Sequence, residues 1–267
     1  MVCFSCEYTC VYNILTDRPG ITAVIPTNVD NSFLVPSHQN ILLYNWDTNT
    51  SSEIAEFDLG TIARVNDSKA DSQGRLWFGT RAEADTSGFV QPGLGSLYCL
   101  SDNQVTKMPI SPVDLANGME WTRDDSIMFF TDSLKRVIYA LDFDSSNGTV
   151  ANQRIAIDFA NYENALGKSA VPDGCCLDTC GRLWSTCYYG GCIACFDLVK
   201  GEIAEIVKIP TACTTSCCFG GPFLNQMFVT SAPEDVEGNK LGGSLFRVDG
   251  INVKGYLPYP ASIPLSC

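Results

Sequence analysis

Three segments of this 267-residue chain carry polar side chains of kinds that hold cations and move protons. The first is Ala63-Arg64-Val65-Asn66-Asp67-Ser68-Lys69-Ala70-Asp71, where Arg64, Asn66 and Ser68 alternate and so predict one shared strand face. The second is Leu115-Ala116-Asn117-Gly118-Met119-Glu120-Trp121, and the third is Val171-Pro172-Asp173-Gly174-Cys175-Cys176-Leu177-Asp178. Amide and carboxylate oxygens with no histidine or thiolate beside them suit a hard cation such as calcium, magnesium or manganese. A metal beside Asp173 would suit hydrolysis of an ester or lactone, the metal polarising the carbonyl while the carboxylate takes a proton from water. Arg64 offers a planar fork of donors for an anionic or hydroxyl-rich substrate. Lys69 alternates away from that face and is expected to be solvated and replaceable with little effect. Asn117-Gly118 and Pro172-Asp173-Gly174 are also turn signals, and loop geometry alone accounts for either taken singly. Their functional weight comes from standing at equivalent points of successive repeats.

Those repeats are the elements that must position the site. Asp71-x-x-Gly74-Arg75-Leu76-Trp77 returns as Asp178-x-x-Gly181-Arg182-Leu183-Trp184, each a polar turn running into an apolar strand. Looser turn-then-strand copies begin at Asp30, Asp124 and Leu224. A following strand recurs as ILLYNWD (41–47), GSLYCLS (95–101), RVIYALDFD (136–144), GCIACFDL (191–198) and GSLFRVDG (243–250), and TCVYNILTD (9–17) reads as a sixth copy. Spacing of about 40–55 residues is that of propeller blades. The expectation is an all-β, six-bladed β-propeller with an incomplete first blade, one domain over residues 1–267. In such a wheel the inner strands ring a channel, so side chains just ahead of the turn-strand motifs converge on one axis.

Composition narrows the partners. A net charge of −13 repels nucleic-acid backbones and anionic membranes, which leaves small molecules and metal ions. The sequence has no apolar run of membrane-spanning length and no basic n-region followed by an apolar h-region at its start, so the expected location is cytoplasmic. The fourteen cysteines then read as reduced, small hydrophobes in strands, with the adjacent pairs Cys175–Cys176 and Cys217–Cys218 pointing to opposite faces. Cys192-x-x-Cys195 has zinc-like spacing but falls inside an apolar strand. His38, the single histidine, supplies neither a histidine metal cluster nor a serine triad.

The stretches RVNDSKADSQGRLWFGT (64–80), NGMEWTRDDSIMFFTDS (117–133), PDGCCLDTCGRLW (172–184), TTSCCFGG (214–221) and GGSLFRVDGINVKGYLPY (242–259) resemble, in order and over most of the chain, the regucalcin/gluconolactonase-like family. The resemblance implies a six-bladed propeller that binds one divalent ion, calcium or zinc, and hydrolyses sugar lactones. By position it implies Asn117 and Asp173 as metal ligands, Asp173 as general acid/base, and Arg64 and Asn66 as the substrate-binding pair. The family's acidic substrate contact falls in register on Ala84, so Glu83 or Asp85 takes that role only with a local shift. Arg81 stands where the family has Met. The family's Gly-Glu-x-Pro-x-Trp segment, whose Glu is the third metal ligand, has no counterpart in this sequence, and Glu7 is the nearest carboxylate. Two readings follow: a metal-dependent lactone hydrolase, or a calcium-binding or scaffold paralogue that lacks the third ligand and with it catalysis.

Overall fold

Short runs of β-branched and aromatic residues, punctuated by Gly, Asn and Asp turns, build antiparallel strands throughout the computed structural model, which describes residues 20–234 and 236–263. The first sheet holds β1 (Ile25–Pro26), β2 (Ser32–Ser37), β3 (Asn40–Asn45) and β4 (Thr50–Glu56). The second holds β5 (Ala63–Ala70), β6 (Leu76–Ala82), β7 (Leu97–Ser101) and β8 (Gln104–Lys107). Next come β9 (Ala116–Trp121), β10 (Ile127–Asp132), β11 (Val137–Asp144) and β12 (Thr149–Asp158), then β13 (Val171–Leu177), β14 (Leu183–Tyr188), β15 (Cys192–Asp197) and β16 (Glu202–Lys208). The last sheet has three strands, β17 (Thr214–Gly220), β18 (Gln226–Ser231) and β19 (Phe246–Val248). Each is a meander in which neighbours in sequence pair in space. The architecture is a β-propeller with five sheets among the described residues. Five of the six expected blades are thus described, and the remaining copy, TCVYNILTD (9–17), lies outside the described residues.

The first strand of each sheet is the inner one, and β5, β9, β13 and β17 stand side by side. Apolar side chains fill the wedges between sheets. Trp77, Met128, Phe130 and Phe143 pack between the second and third sheets, and Phe129, Ile138, Leu183 and Phe196 between the third and fourth. Trp184, Cys195, Met227 and Val229 pack between the fourth and fifth. Residues 249–263 then run across the end of the ring where the inner strands finish. Thr179 N–H donates to the Lys254 carbonyl, Arg123 stacks on Tyr256 and Tyr259, and Ala261 pairs with Thr27. With Ser262 N–H donating to the Gly74 carbonyl and Gly255 N–H to that of Leu224, this strap ties all five sheets together at the end away from the polar segments.

The repeated Asp-x-x-Gly-Arg-Leu-Trp segment is a buried hydrogen-bond knot. Asp178 is wholly buried and accepts from Cys180 N–H (2.8 Å), Arg182 N–H (3.0 Å), Arg182 Nε (2.8 Å) and Trp184 Nε1 (2.9 Å). Asp71 repeats the set with Gln73, Arg75 and Trp77. One carboxylate thereby closes the turn, holds the arginine and satisfies the core tryptophan, which explains why the residues recur together.

The cysteines among the described residues are thiols rather than disulfides. Cys175 and Cys176 face different cores, as their alternation predicts, and so do Cys192 and Cys195, which therefore cannot chelate one ion. No helix among the described residues is long and apolar enough to cross a membrane.

Candidate metal centre

Every inner strand that carries a predicted site residue is broken by a β-bulge at that residue. In β5 the register shifts between Val65 and Asp67, leaving Asn66 extra. In β9 it shifts across Asn117 and Gly118 opposite Thr131, in β13 across Asp173 and Gly174 opposite Thr186, and in β17 at Thr215. Asn-Gly and Pro-Asp-Gly are therefore not turns, as their composition suggests, but bulges inside inner strands. A bulge bends the strand and re-aims one side chain while the ladder continues on either side. The glycines are needed because the inner strands nearly touch there. A Cβ on Gly118 would stand 2.6 Å from the Asp173 carbonyl oxygen, and one on Gly174 2.3 Å from Ser216 Oγ.

The bulge in β5 also overturns the expected alternation. Arg64 and Asn66 share a face, but past the bulge the phase changes. Ser68 turns into the protein, where its buried hydroxyl has no hydrogen-bond partner among the described residues. Asp67 and Lys69 take the channel side instead. Lys69 Nζ lies 2.8 Å from Glu120 Oε2 across the β5–β9 gap, and Glu120 also accepts from Leu177 N–H of β13 at 3.2 Å. Burial works against the Lys69 charge, but Glu120 more than offsets it and holds the ammonium above its ordinary range. Lys69 is thus a tie between blades, not the solvated, replaceable residue its spacing suggests. Lys69→Met is expected to cost about 1–2 kcal/mol, discounted because both side chains keep partial contact with water. A lowered urea midpoint checks it. Because the folded-state pKa is raised, this stabilisation is complete at neutral pH and is lost only as strongly alkaline pH deprotonates the amine.

Above this tie a hydrogen-bonded chain links three blades. Arg81 Nε donates to Asn66 Oδ1 (2.9 Å). Asn66 Nδ2 donates to Asn117 Oδ1 (2.7 Å) and to the Ala116 carbonyl (2.8 Å). Asn117 Nδ2 donates to Ser133 Oγ (2.8 Å), which donates to the Pro172 carbonyl next to Asp173 (2.5 Å). Arg64 and Arg81 are direct cross-strand partners, and Arg64 Nε lies 2.8 Å from Glu83 Oε2, an ion pair rather than an aligned hydrogen bond. Glu83, not Ala84, therefore supplies the acid at the rim, while Asp85 caps its own loop at Ser87 and Phe89. Of the expected set, Arg64, Asn66, Asn117 and Asp173 all lie at this end of the inner strands. Asn66 is committed to orienting Asn117.

Two carboxylates meet at the centre. Burial and the charge of Asp67, opposed by the Gly174 N–H, hold Asp173 well above the usual carboxylate range. Asp67 is pushed up to about 6 by burial, against the Ser68 N–H and Lys69. Each is half-buried. Two carboxylates that raise each other's pKa would be relieved by a cation, and with the Asn117 amide oxygen they are the oxygen donors that could hold a hard divalent ion. Among the described residues no group of three or more His, Cys, Asp and Glu gathers as a metal cluster. Glu7 lies outside those residues. Sequence reasoning missed Asp67, Lys69, Glu120 and Ser133, because strict alternation cannot see the phase change at a bulge.

Comparison with known proteins identifies the family. The model of the SMP-30/gluconolactonase/LRE-like region matches residues 10–233. Regucalcin of Sus scrofa is 36% identical over 223 residues, covering 81% of this chain and 72% of the relative. Regucalcin of Homo sapiens is 35% identical over 221 residues, with 80% and 72% covered. Among solved structures, a luciferin-regenerating enzyme superposes with a TM-score of 0.83 at 31% identity, covering 93% of this chain and 83% of that one. Regucalcin from Agrobacterium tumefaciens, described as a calcium-binding protein, superposes with a TM-score of 0.76 at 25% identity, with 89% and 78% covered. The chain belongs to the SMP-30/gluconolactonase/LRE-like family.

Proposed function

We propose that this protein is a divalent-metal-dependent hydrolase of sugar lactones and a calcium-binding protein. The observation that carries the reading is the convergence of Asn117, Asp173 and Asp67, with Arg64 and Arg81 at the rim, at the bulged starts of adjacent inner strands. Asn117 and Asp173 would hold the ion, calcium or zinc in the first instance and magnesium or manganese by the same oxygen chemistry, with Asp67 balancing its charge. Such an ion polarises the lactone carbonyl. Asp173 takes a proton from the attacking water and returns one to the ring oxygen as the C–O bond breaks, so lactone and water become one hydroxy acid. Asn66 and Ser133 keep the Asn117 amide oxygen turned toward the centre, and Arg64 holds the substrate's hydroxyl or anionic groups. The same reading makes the ring six-bladed and the chain one domain over 1–267, and its thiols suit the reducing cytoplasm.

Calorimetric titration of calcium and zinc into chelator-treated protein, with a glucono-1,5-lactone assay on the same samples, tests this. One ion per chain and a hydrolysis rate restored by that ion are expected. Binding without turnover selects the calcium-binding reading, which a centre of two carboxylates and an amide among the described residues also accommodates. Absence of both overturns the site.

A further inference from the structure

Building on the lactonase reading, we propose that Arg81 and Arg64 form an anion subsite, so that the substrate is a lactone bearing a phosphate or carboxylate. The two residues are direct partners across β5 and β6, an arrangement that sets like charges opposite each other and is unfavourable unless a counter-charge is present. The charges at this end of the channel pair off as follows. Lys69 is matched by Glu120 and Arg64 by Glu83. Asp67 and Asp173 would together match one divalent ion under that reading. Arg81 is left over. Its Nε and Nη1 are used on the neutral oxygens of Asn66 and Ala82, and it is only partly exposed, so bulk water does not fully screen it. Burial and the neighbouring Arg64 both act against its charge, with Glu83 opposing them. An anionic group on the substrate would remove the repulsion between the two guanidiniums. Two adjacent planar forks also match a phosphate or carboxylate in shape.

Arg64 is placed to turn toward such a group because its pairing with Glu83 is poorly aligned. Glu83 itself is half-exposed at the rim and can give up the contact to water. A purely structural alternative exists, in which Arg81 does no more than hold the Asn66 amide. The two readings differ in substrate selectivity, since a structural role affects charged and neutral substrates alike.

The test compares kcat/KM for glucono-1,5-lactone, its 6-phosphate and a glucaric-acid lactone with a free carboxylate, for the calcium-loaded wild type, Arg81→Met and Arg81→Lys. The wild type is expected to prefer one of the anionic lactones by about 10-fold or more, an amount typical of one charge-assisted contact. Arg81→Met should bring that ratio close to one, and Arg81→Lys should keep part of it. The larger Arg81-dependent ratio tells phosphate from carboxylate. A wild type without preference, or a ratio unchanged in Arg81→Met, overturns the subsite even if lactones are hydrolysed. A parallel titration with 6-phosphogluconate and gluconate separates the two readings. If no lactone is turned over but 6-phosphogluconate binds in an Arg81-dependent way, the subsite stands and the hydrolase reading falls. If neither 6-phosphogluconate nor glucarate, titrated alongside, binds better than gluconate, the subsite is overturned.

Discussion

Asp173→Asn is expected to lower lactone turnover by about 10²–10⁴-fold, the range that a positioned general base contributes. In the proposed mechanism this carboxylate both ligates the ion and accepts the proton. Its amide counterpart keeps the shape and one coordinating oxygen but cannot take the proton of water at neutral pH. Ion affinity should therefore fall less than turnover. A second readout separates loss of chemistry from loss of fold. Burial and Asp67 hold the Asp173 pKa above its ordinary value, so the ionised side chain destabilises the metal-free protein as pH rises above the unfolded carboxylate range. Replacing it by a neutral isostere removes that repulsion. The metal-free Asp173→Asn protein should melt at or above the wild-type temperature while being far less active. Full activity in this variant would show that another group takes the proton.

Asp178→Ala should be the most damaging single change to the scaffold, costing about 3–5 kcal/mol of a stability that for most domains totals about 5–15 kcal/mol. Truncation leaves Trp184 Nε1, inside the core, without an acceptor and frees Arg182 from its partner. It also opens the turn between the innermost strand of the fourth sheet and the next one. Thermal unfolding should drop by about 10 °C or more for a chain of this size. Asp178→Asn, which keeps one oxygen for the tryptophan or the arginine, should lose about half as much. Equal melting of the wild type and the alanine variant would show that the hydrogen-bond set contributes little net stability.

The strands, their antiparallel meanders and the repeated Asp-Gly-Arg-Leu-Trp turns were legible in the sequence. Each depends on local periodicity and on turn residues, and these act within a few positions of one another. That Asn66, Asn117 and Asp173 fall at one end of neighbouring inner strands was legible for a related reason, since each stands at the same offset before its turn and a ring of blades turns equal offsets into spatial neighbours; Arg64 stands two residues ahead of Asn66 on the same strand. What the chain did not disclose locally is where the pleat slips. The bulges at Asn66, Asn117–Gly118, Asp173–Gly174 and Thr215 arise where inner strands crowd around a shared axis, and no strand alone dictates them. That slip moves Ser68 into the protein and brings Asp67 and Lys69 to the channel, reversing what alternation assigns. The pairings of Lys69 with Glu120, of Arg81 with Asn66 and of Asp67 with Asp173 join residues about 15 to 106 positions apart. The period-2 pattern fixes only which residues of one strand share a face. The partner across the channel, and so the charge each group carries and the proton it holds, is set when the blades close around the axis.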